Sequence, residues 1–223
     1  MTTPRTLVDV FRNLETLAKP DLLLHKTGGS WVPISTAEFS SSVKAVSAAL
    51  GTLGVPQGGA VVLLSENRPE WPTIDFACQC YGAVLVPVFP TMVAEQAEYI
   101  VRDCGATVAF ASTPEQAAKL VKAQASCPKL AHVFVFDHAG GAGKPFAALL
   151  EEGRKAHAAA PGTFDERAAA RQPSDLATII YTSGTTGEPK GAMLVQSNFV
   201  SNMLAGCSLL PFDSTAVTMS FLP

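Results

Sequence analysis

An α/β fold built on a mostly parallel sheet flanked by helices is predicted for this chain of 223 residues. Three features predict it. Short apolar, β-branched runs alternate with helical patterns between Ala60 and Phe136, the order that a parallel sheet with helices on both faces imposes. Hydrophobic residues make up 48% of the sequence and mean hydropathy is +0.24, which supplies ample core and sets the chain apart from disordered compositions. No internal repeat, low-complexity tract or flexible linker interrupts the pattern.

Leu7, Val10, Phe11, Leu14 and Leu17 fall on one face of a helix expected over Thr6 to Ala18, the spacing of an amphipathic segment. Leu22-Leu23-Leu24 and Trp31-Val32-Pro33-Ile34 flank Thr27-Gly28-Gly29-Ser30 and predict a hairpin. Ser35 with Glu38 is a capping-box pair opening a helix to about Leu53, and Gly54 is its stop. Strands are expected at Ala60–Leu64, Ala83–Phe89, Thr107–Ala111 and His132–Phe136, with helices at about Pro69–Tyr81, Ala94–Cys104 and Pro114–Ala125. A helix over Phe146–His157 precedes a loop, Pro161–Asp175. Two strands around a Gly/Thr-rich turn, a helix from Ser197 to Leu210 and a strand at Val217–Leu222 complete the order. Gly140-Gly141-Ala142-Gly143-Lys144-Pro145 follows a strand but carries proline where a phosphate cradle needs Ser or Thr, so it reads as a surface loop.

The formal charge is −3, and no basic stripe with interleaved aromatics is present, which argues against a nucleic-acid partner. No run reaches the ~18 unbroken apolar residues of a spanning helix. The amino-terminal MTTPRTLVDVFRNLE lacks the apolar core of a signal peptide. A cytoplasmic location is the resulting expectation. Cys78, Cys80, Cys104, Cys127 and Cys207 are an odd set with scattered spacing, suited to reduced, buried or half-buried thiols rather than disulfides or zinc. His25, His132, His138 and His157 are isolated, without metal-ligand spacing; His132 fits a strand end and the others fit surface.

The most informative stretch is Ile179-Ile180-Tyr181-Thr182-Ser183-Gly184-Thr185-Thr186-Gly187-Glu188-Pro189-Lys190-Gly191-Ala192-Met193-Leu194. Gly184 and Gly187 let the backbone turn tightly and bring N–H groups close to an anion. Thr182, Ser183, Thr185 and Thr186 add hydroxyl donors, and Lys190 adds a mobile positive charge. That inventory suits the polyphosphate of a nucleotide. A Walker A loop is excluded, because Pro189 precedes Lys190, Gly191 follows it, and the context is strand–loop–strand. A ligand-free hairpin turn would account for the glycines but not for the combined hydroxyls and lysine. Ser183 has no His near it in sequence and no Gly-x-Ser-x-Gly frame, so it does not read as a nucleophile. Tyr181 reads as a packing residue at a strand end.

The run TIIYTSGTTGEPKGAML closely resembles the phosphate-binding signature of adenylate-forming enzymes. Ser65-Glu66-Asn67-Arg68-Pro69-Glu70-Trp71, Val86-Pro87-Val88-Phe89-Pro90-Thr91 with Ala94-Glu95-Gln96, and Phe221-Leu222-Pro223 resemble the long-chain fatty-acid–CoA ligase branch. The resemblance implies the amino-terminal part of an acyl-CoA synthetase-like large domain with an incomplete second sheet. Residues 55–210 would be a nearly complete α/β subdomain, while 1–54 and 211–223 would be pieces of a second one. Apolar faces left exposed on those pieces would favour a homodimer or aggregation.

The activity implied is ATP-dependent: carboxylate plus ATP gives acyl-AMP and pyrophosphate, and the acyl group then passes to coenzyme A. Under this resemblance Thr182, Ser183, Gly184, Thr185, Thr186 and Gly187 embrace the ATP phosphates, Lys190 reaches their outer oxygens, and Thr182 also contacts Mg²⁺. Glu188 is expected to be solvated. Fatty acid and coenzyme A would be partners of the full-length enzyme, and peripheral membrane contact would be a property of that enzyme. The same resemblance includes fatty acyl-AMP ligases and a non-catalytic phosphate-binding module as alternatives. Family members run to well over twice this length, so no catalytic set is complete here, and the chain alone is expected to be inactive. One local departure stands out: Val195-Gln196-Ser197-Asn198 replaces the family's Thr-His-x-Asn. The Arg68, Glu70 and Trp71 group reads as a structural helix start, with Pro69 in the first turn and Glu70 favourable to the helix dipole.

Overall fold

The run Ala60-Val-Val-Leu-Leu64, buried at every position, sits at the middle of a seven-stranded sheet. A computed structural model describes residues 3–182, 188–209 and 215–220. In chain order the elements are α1 (Leu7–Leu17), β1 (Leu23–Thr27), β2 (Ser30–Ile34), α2 (Thr36–Thr52), β3 (Ala60–Leu64), α3 (Glu70–Tyr81), β4 (Val84–Val88) and α4 (Ala94–Cys104). Then follow β5 (Val108–Ala111), α5 (Pro114–Ala123), β6 (His132–Val135), β7 (Lys144–Pro145), α6 (Phe146–Ala159), α7 (Gly162–Ala169), β8 (Leu176–Thr182), β9 (Lys190–Val195) and α8 (Gln196–Leu209).

The large sheet has the order β7-β6-β5-β3-β4-β8-β9, parallel throughout except for the β8–β9 pair. Because side chains alternate along a strand, Val61 and Leu63 enter one core while Val62 and Leu64 enter the other. The first core takes Val8 and Phe11 of α1, Phe39 and Val43 of α2, Ile74 of α3, Leu149 of α6 and Phe164 of α7. The second takes Ala97 and Ile100 of α4 with Ala117 and Leu120 of α5. β1 and β2 form a separate two-stranded sheet, in register from Leu23↔Ile34 to Thr27↔Ser30. The mostly parallel sheet flanked by helices is therefore the observed architecture.

Local chemistry sets the boundaries. At α1 the Thr6 hydroxyl accepts from Asp9 N–H while the Asp9 carboxylate accepts from Thr6 N–H; Ser35 and Glu38 repeat the exchange at α2. Gly82 ends α3 in the left-handed region at φ 91°, a conformation that costs glycine nothing. α2 and α6 approach closely at Gly153, where an added Cβ would lie 2.7 Å from the Ala45 carbonyl carbon and 3.2 Å from the Ala49 Cβ.

Three expectations need correction. Pro161–Asp175 is not a loop throughout: it contains α7, whose Phe164 and Ala168 are buried four residues apart. Pro161 and Gly162 suggested a break, yet proline is well tolerated where a helix begins. Lys144–Pro145, placed in a surface loop, pairs with Phe134–Val135 as a short parallel edge strand. Val217–Leu222 was expected as a strand, but residues 217–220 have no regular structure; Val217 and Met219 are exposed and no strand among the described residues pairs with them. Phe221 and Leu222 lie outside the described residues. Of the thiols, Cys78, Cys80 and Cys127 are buried and Cys104 is half-buried, but Cys207 is exposed on α8. Burial pushes the Cys78 and Cys80 thiols well up and raises Cys104 to about 11.

Candidate functional site

β8 carries the candidate site, and its anchoring begins in the core. The Thr178 hydroxyl donates to the Leu85 carbonyl at 2.6 Å, locking β8 beside β4 in parallel register Leu85↔Thr178. On its other side β8 pairs with β9 from Leu176↔Val195 to Thr182↔Lys190, with an irregularity between Leu176 and Thr178. Thr182 and Lys190 are thus cross-strand partners at the hairpin tip. The residues Ser183, Gly184, Thr185, Thr186 and Gly187, predicted to hold phosphates, lie outside the described residues.

Tyr181 and Gly191 face each other across the hairpin, one pair in from the tip. A Cβ at Gly191 would come 2.6 Å from Ile179 Cγ2 and 3.2 Å from the Tyr181 ring, so only glycine fits under that ring. The Tyr181 hydroxyl donates to Asp103 Oδ2 on α4. Burial first, then this bond, pushes the phenol well above its ordinary range. Tyr181 is therefore a packing residue, and Asp103, which no sequence signal marked, fixes its ring. Glu188 is exposed, as expected; burial raises the Tyr99 phenol, and the Glu188 carboxylate adds to the rise. Lys190 is exposed and has no ion-pair partner among the described residues, which leaves its charge available to an anion.

The root of the hairpin is tied by a buried amide relay. Gln196 Oε1 accepts from Leu7 N–H at 2.8 Å, and Gln196 Nε2 donates to Gln79 Oε1 at 2.7 Å. Gln79 Nε2 then donates to Asp75 Oδ1 at 2.8 Å and to the Ala177 carbonyl at 3.2 Å. Both glutamines are 1% exposed, so each polar atom needs these partners. This explains the departure at Gln196: a side chain with a donor and an acceptor at its end bridges α1 to α3. Asn198 Oδ1 accepts from Val195 N–H at 2.9 Å, one half of a capping exchange at the start of α8.

Asp75 opens on a cavity of about 230 Å³ bounded in part by Trp71, Leu85, Phe89, Ile180 and Phe199. Its carboxyl is otherwise enclosed, and burial pushes it up to about 6 while the Gln79 hydrogen bond opposes the rise. The folded chain therefore holds this proton more tightly than the unfolded chain. Stability from this group is present at low pH and is lost as pH rises from about 4 through about 6. Asp75→Asn should remove that slope and stabilise the chain at pH 7 by roughly 1–3 kcal/mol. Urea unfolding at pH 4 and pH 7 checks it; an unchanged pH dependence would refute the assignment.

The Arg68 group is spent within the fold. Its guanidinium donates to Glu70 at 2.7 and 3.0 Å and to Asp137 at 2.9 and 2.9 Å, and lies 5.0 Å from the Phe136 ring centroid. It fastens the turn after β3 to the end of β6. Among the described residues no group of three or more His, Cys, Asp or Glu could hold a metal ion. Among the described residues of the hairpin tip, Thr182 offers a hydroxyl, which fits Mg²⁺ only as one ligand beside phosphate oxygens. No described helix is long and apolar enough to cross a membrane.

Comparison with known proteins agrees with this geometry. Residues 16–223 match the family described as AMP-binding enzyme. A long-chain-fatty-acid–CoA ligase from Mycobacterium bovis, FadD15, is 38% identical over 183 residues, covering 81% of this chain and 30% of the relative. Long-chain-fatty-acid–CoA ligase 5 of Rattus norvegicus is 34% identical over 177 residues, covering 72% of this chain and 25% of the relative. The chain thus spans less than a third of the length of these curated relatives. The structure of the N-terminal domain of FACL13 from Mycobacterium tuberculosis superposes with a TM-score of 0.73 at 22% identity, covering 93% of this chain and 48% of that one. With an anchored β8–β9 hairpin inside a mostly parallel α/β sheet, and a family match that runs through it, this chain belongs to the AMP-binding enzyme family.

Proposed function

We propose that the chain is the phosphate-binding part of an ATP-dependent long-chain fatty-acid–CoA ligase. In the complete enzyme a fatty carboxylate oxygen attacks the α-phosphorus of ATP, the bond to pyrophosphate breaks, and acyl-AMP forms. The thiol of coenzyme A then displaces AMP. The observation that carries this reading is the Thr182↔Lys190 pair at the tip of a hairpin locked into the sheet. A hydroxyl and an ammonium with no ion-pair partner among the described residues stand together where the connection Ser183–Pro189 begins and ends. The names of the relatives support long-chain acids as the substrate class.

In this reading Ser183, Gly184, Thr185, Thr186 and Gly187 wrap the β- and γ-phosphates with N–H and O–H donors, and Lys190 meets their outer oxygens. Charge that develops on departing pyrophosphate is neutralised by groups already in place. Mg²⁺, when bound, would be held in part by the Thr182 hydroxyl and would supply positive charge against the phosphates. The chain holds the phosphates but completes neither half-reaction alone.

Two measurements test this. Calorimetric titration of ATP–Mg²⁺ into the 223-residue chain should give saturable heat that Lys190→Ala abolishes; no heat at millimolar ligand would refute phosphate binding by this segment. For the full-length polypeptide, pyrophosphate release should rise with the chain length of the carboxylic acid offered. Turnover with none of a graded series would overturn the ligase assignment.

A further inference from the structure

A second cavity, of about 250 Å³, lies among α2, α3, α6 and α7. Tyr81 in its wall ends α3, three residues before β4 begins, so the cavity sits near the starts of the parallel strands, whereas Thr182 ends β8. Arg167 projects into it. The guanidinium lies over the Tyr81 ring at 4.2 Å from the centroid, and Nη1 is shut off from solvent with no hydrogen-bond partner among the described residues. Arg12, Arg68, Arg102, Arg154 and Arg171 each pair with a carboxylate. Arg167 has no such partner among the described residues, although it is among the more enclosed of the arginines. A covered guanidinium N–H without an acceptor is costly to maintain.

The rest of the wall narrows what could supply that acceptor. Ser47, Thr52, Thr163 and His157 contribute the other polar side chains, while alanines of α2 and α6 and the rings of Tyr81 and Phe164 make most of the surface apolar. Water that enters has Arg167 and these side chains as partners, so a ligand must win by a charge-assisted bond to the guanidinium and by covering the apolar wall. One fork-shaped cation matches one planar, singly charged anion, and the apolar wall matches a hydrocarbon body. A phosphate dianion would leave charge unbalanced there.

We propose that this cavity binds a medium-sized aliphatic or aromatic monocarboxylate, with the carboxylate on Arg167, at a site separate from the hairpin tip. The proposal does not rest on the ligase reading. Sodium octanoate titrated into the ¹⁵N-labelled 223-residue chain should shift the Gly51 and Thr163 amides saturably. Arg167→Gln should weaken binding at least about tenfold, and neutral octanamide should bind the unaltered chain at least about tenfold more weakly. The Thr185, Thr186, Lys190 triple alanine variant should leave octanoate binding unchanged. Three results would overturn the proposal: no shift at Gly51 at millimolar octanoate, equal binding of octanamide, or shifts centred on Thr182 and Lys190. Should Arg167→Gln fail to fold, the octanoate–octanamide comparison on the unaltered chain still decides.

Discussion

Replacing Thr185, Thr186 and Lys190 together by alanine in the full-length polypeptide is expected to slow adenylation at least about 10³-fold. Removal of one donor aimed at developing charge typically costs about 10²–10³. Three donors acting as a unit lose somewhat less than the product of their separate effects. Pyrophosphate release at saturating ATP measures the loss. Tm should stay within about 2 °C of the parent, because Lys190 is exposed and surface substitutions are usually worth less than about 0.5 kcal/mol. Activity within tenfold of the parent would leave the hairpin without its assigned role.

Gly153→Ala should destabilise the chain by about 2–3 kcal/mol, against the usual direction of that substitution. In an ordinary helix interior alanine is better than glycine by about 1 kcal/mol. At this position the new methyl would run into the Ala45 carbonyl of α2 and stand 3.2 Å from the Ala49 Cβ. Backbone cannot yield as a flexible side chain does, so α6 must move off α2 and loosen the core beneath. For a chain of this size the cost corresponds to a fall in Tm of about 4–12 °C. Thermal unfolding reads it directly. A rise in Tm would show that the helices have room to part, and the close approach would lose its meaning.

Period and punctuation made most of the fold legible. Ala60–Leu64 could be read residue for residue, because the run is short, includes β-branched Val61 and Val62, and is preceded by Gly58-Gly59. The capping boxes at Ser35 and at Thr6 act locally, so the first could be read without tertiary knowledge. α7 was hidden because Pro161 and Gly162 serve equally as a break and as a helix start, and only burial of Phe164 and Ala168 decides between them. Residues 217–220 departed from the expected strand for the opposite reason: strand propensity is present, but a strand needs a neighbour to pair with, and propensity cannot supply one. At the candidate site, Thr182 and Lys190 stand at the hairpin tip, where strand–loop–strand reasoning put them. Asp103 and the Gln79–Gln196 relay were invisible because their partners lie 78 and 117 residues away in the sequence. The mismatch at Gln196 was the only hint.

The place of β8 in the sheet has a consequence for how the chain assembles during synthesis. β3, β4, β5 and β6 can pair as they emerge from the ribosome, since their partners are separated by a single helix or, for β3 and β5, by helix–strand–helix. β4 must wait with an open edge until β8 arrives, after α4 to α7 have been made. An unpaired edge of Val-Leu-Val-Pro-Val character invites association with other nascent chains. The time taken to make the segment between β4 and β8 thus sets the shortest interval for which that edge stays open.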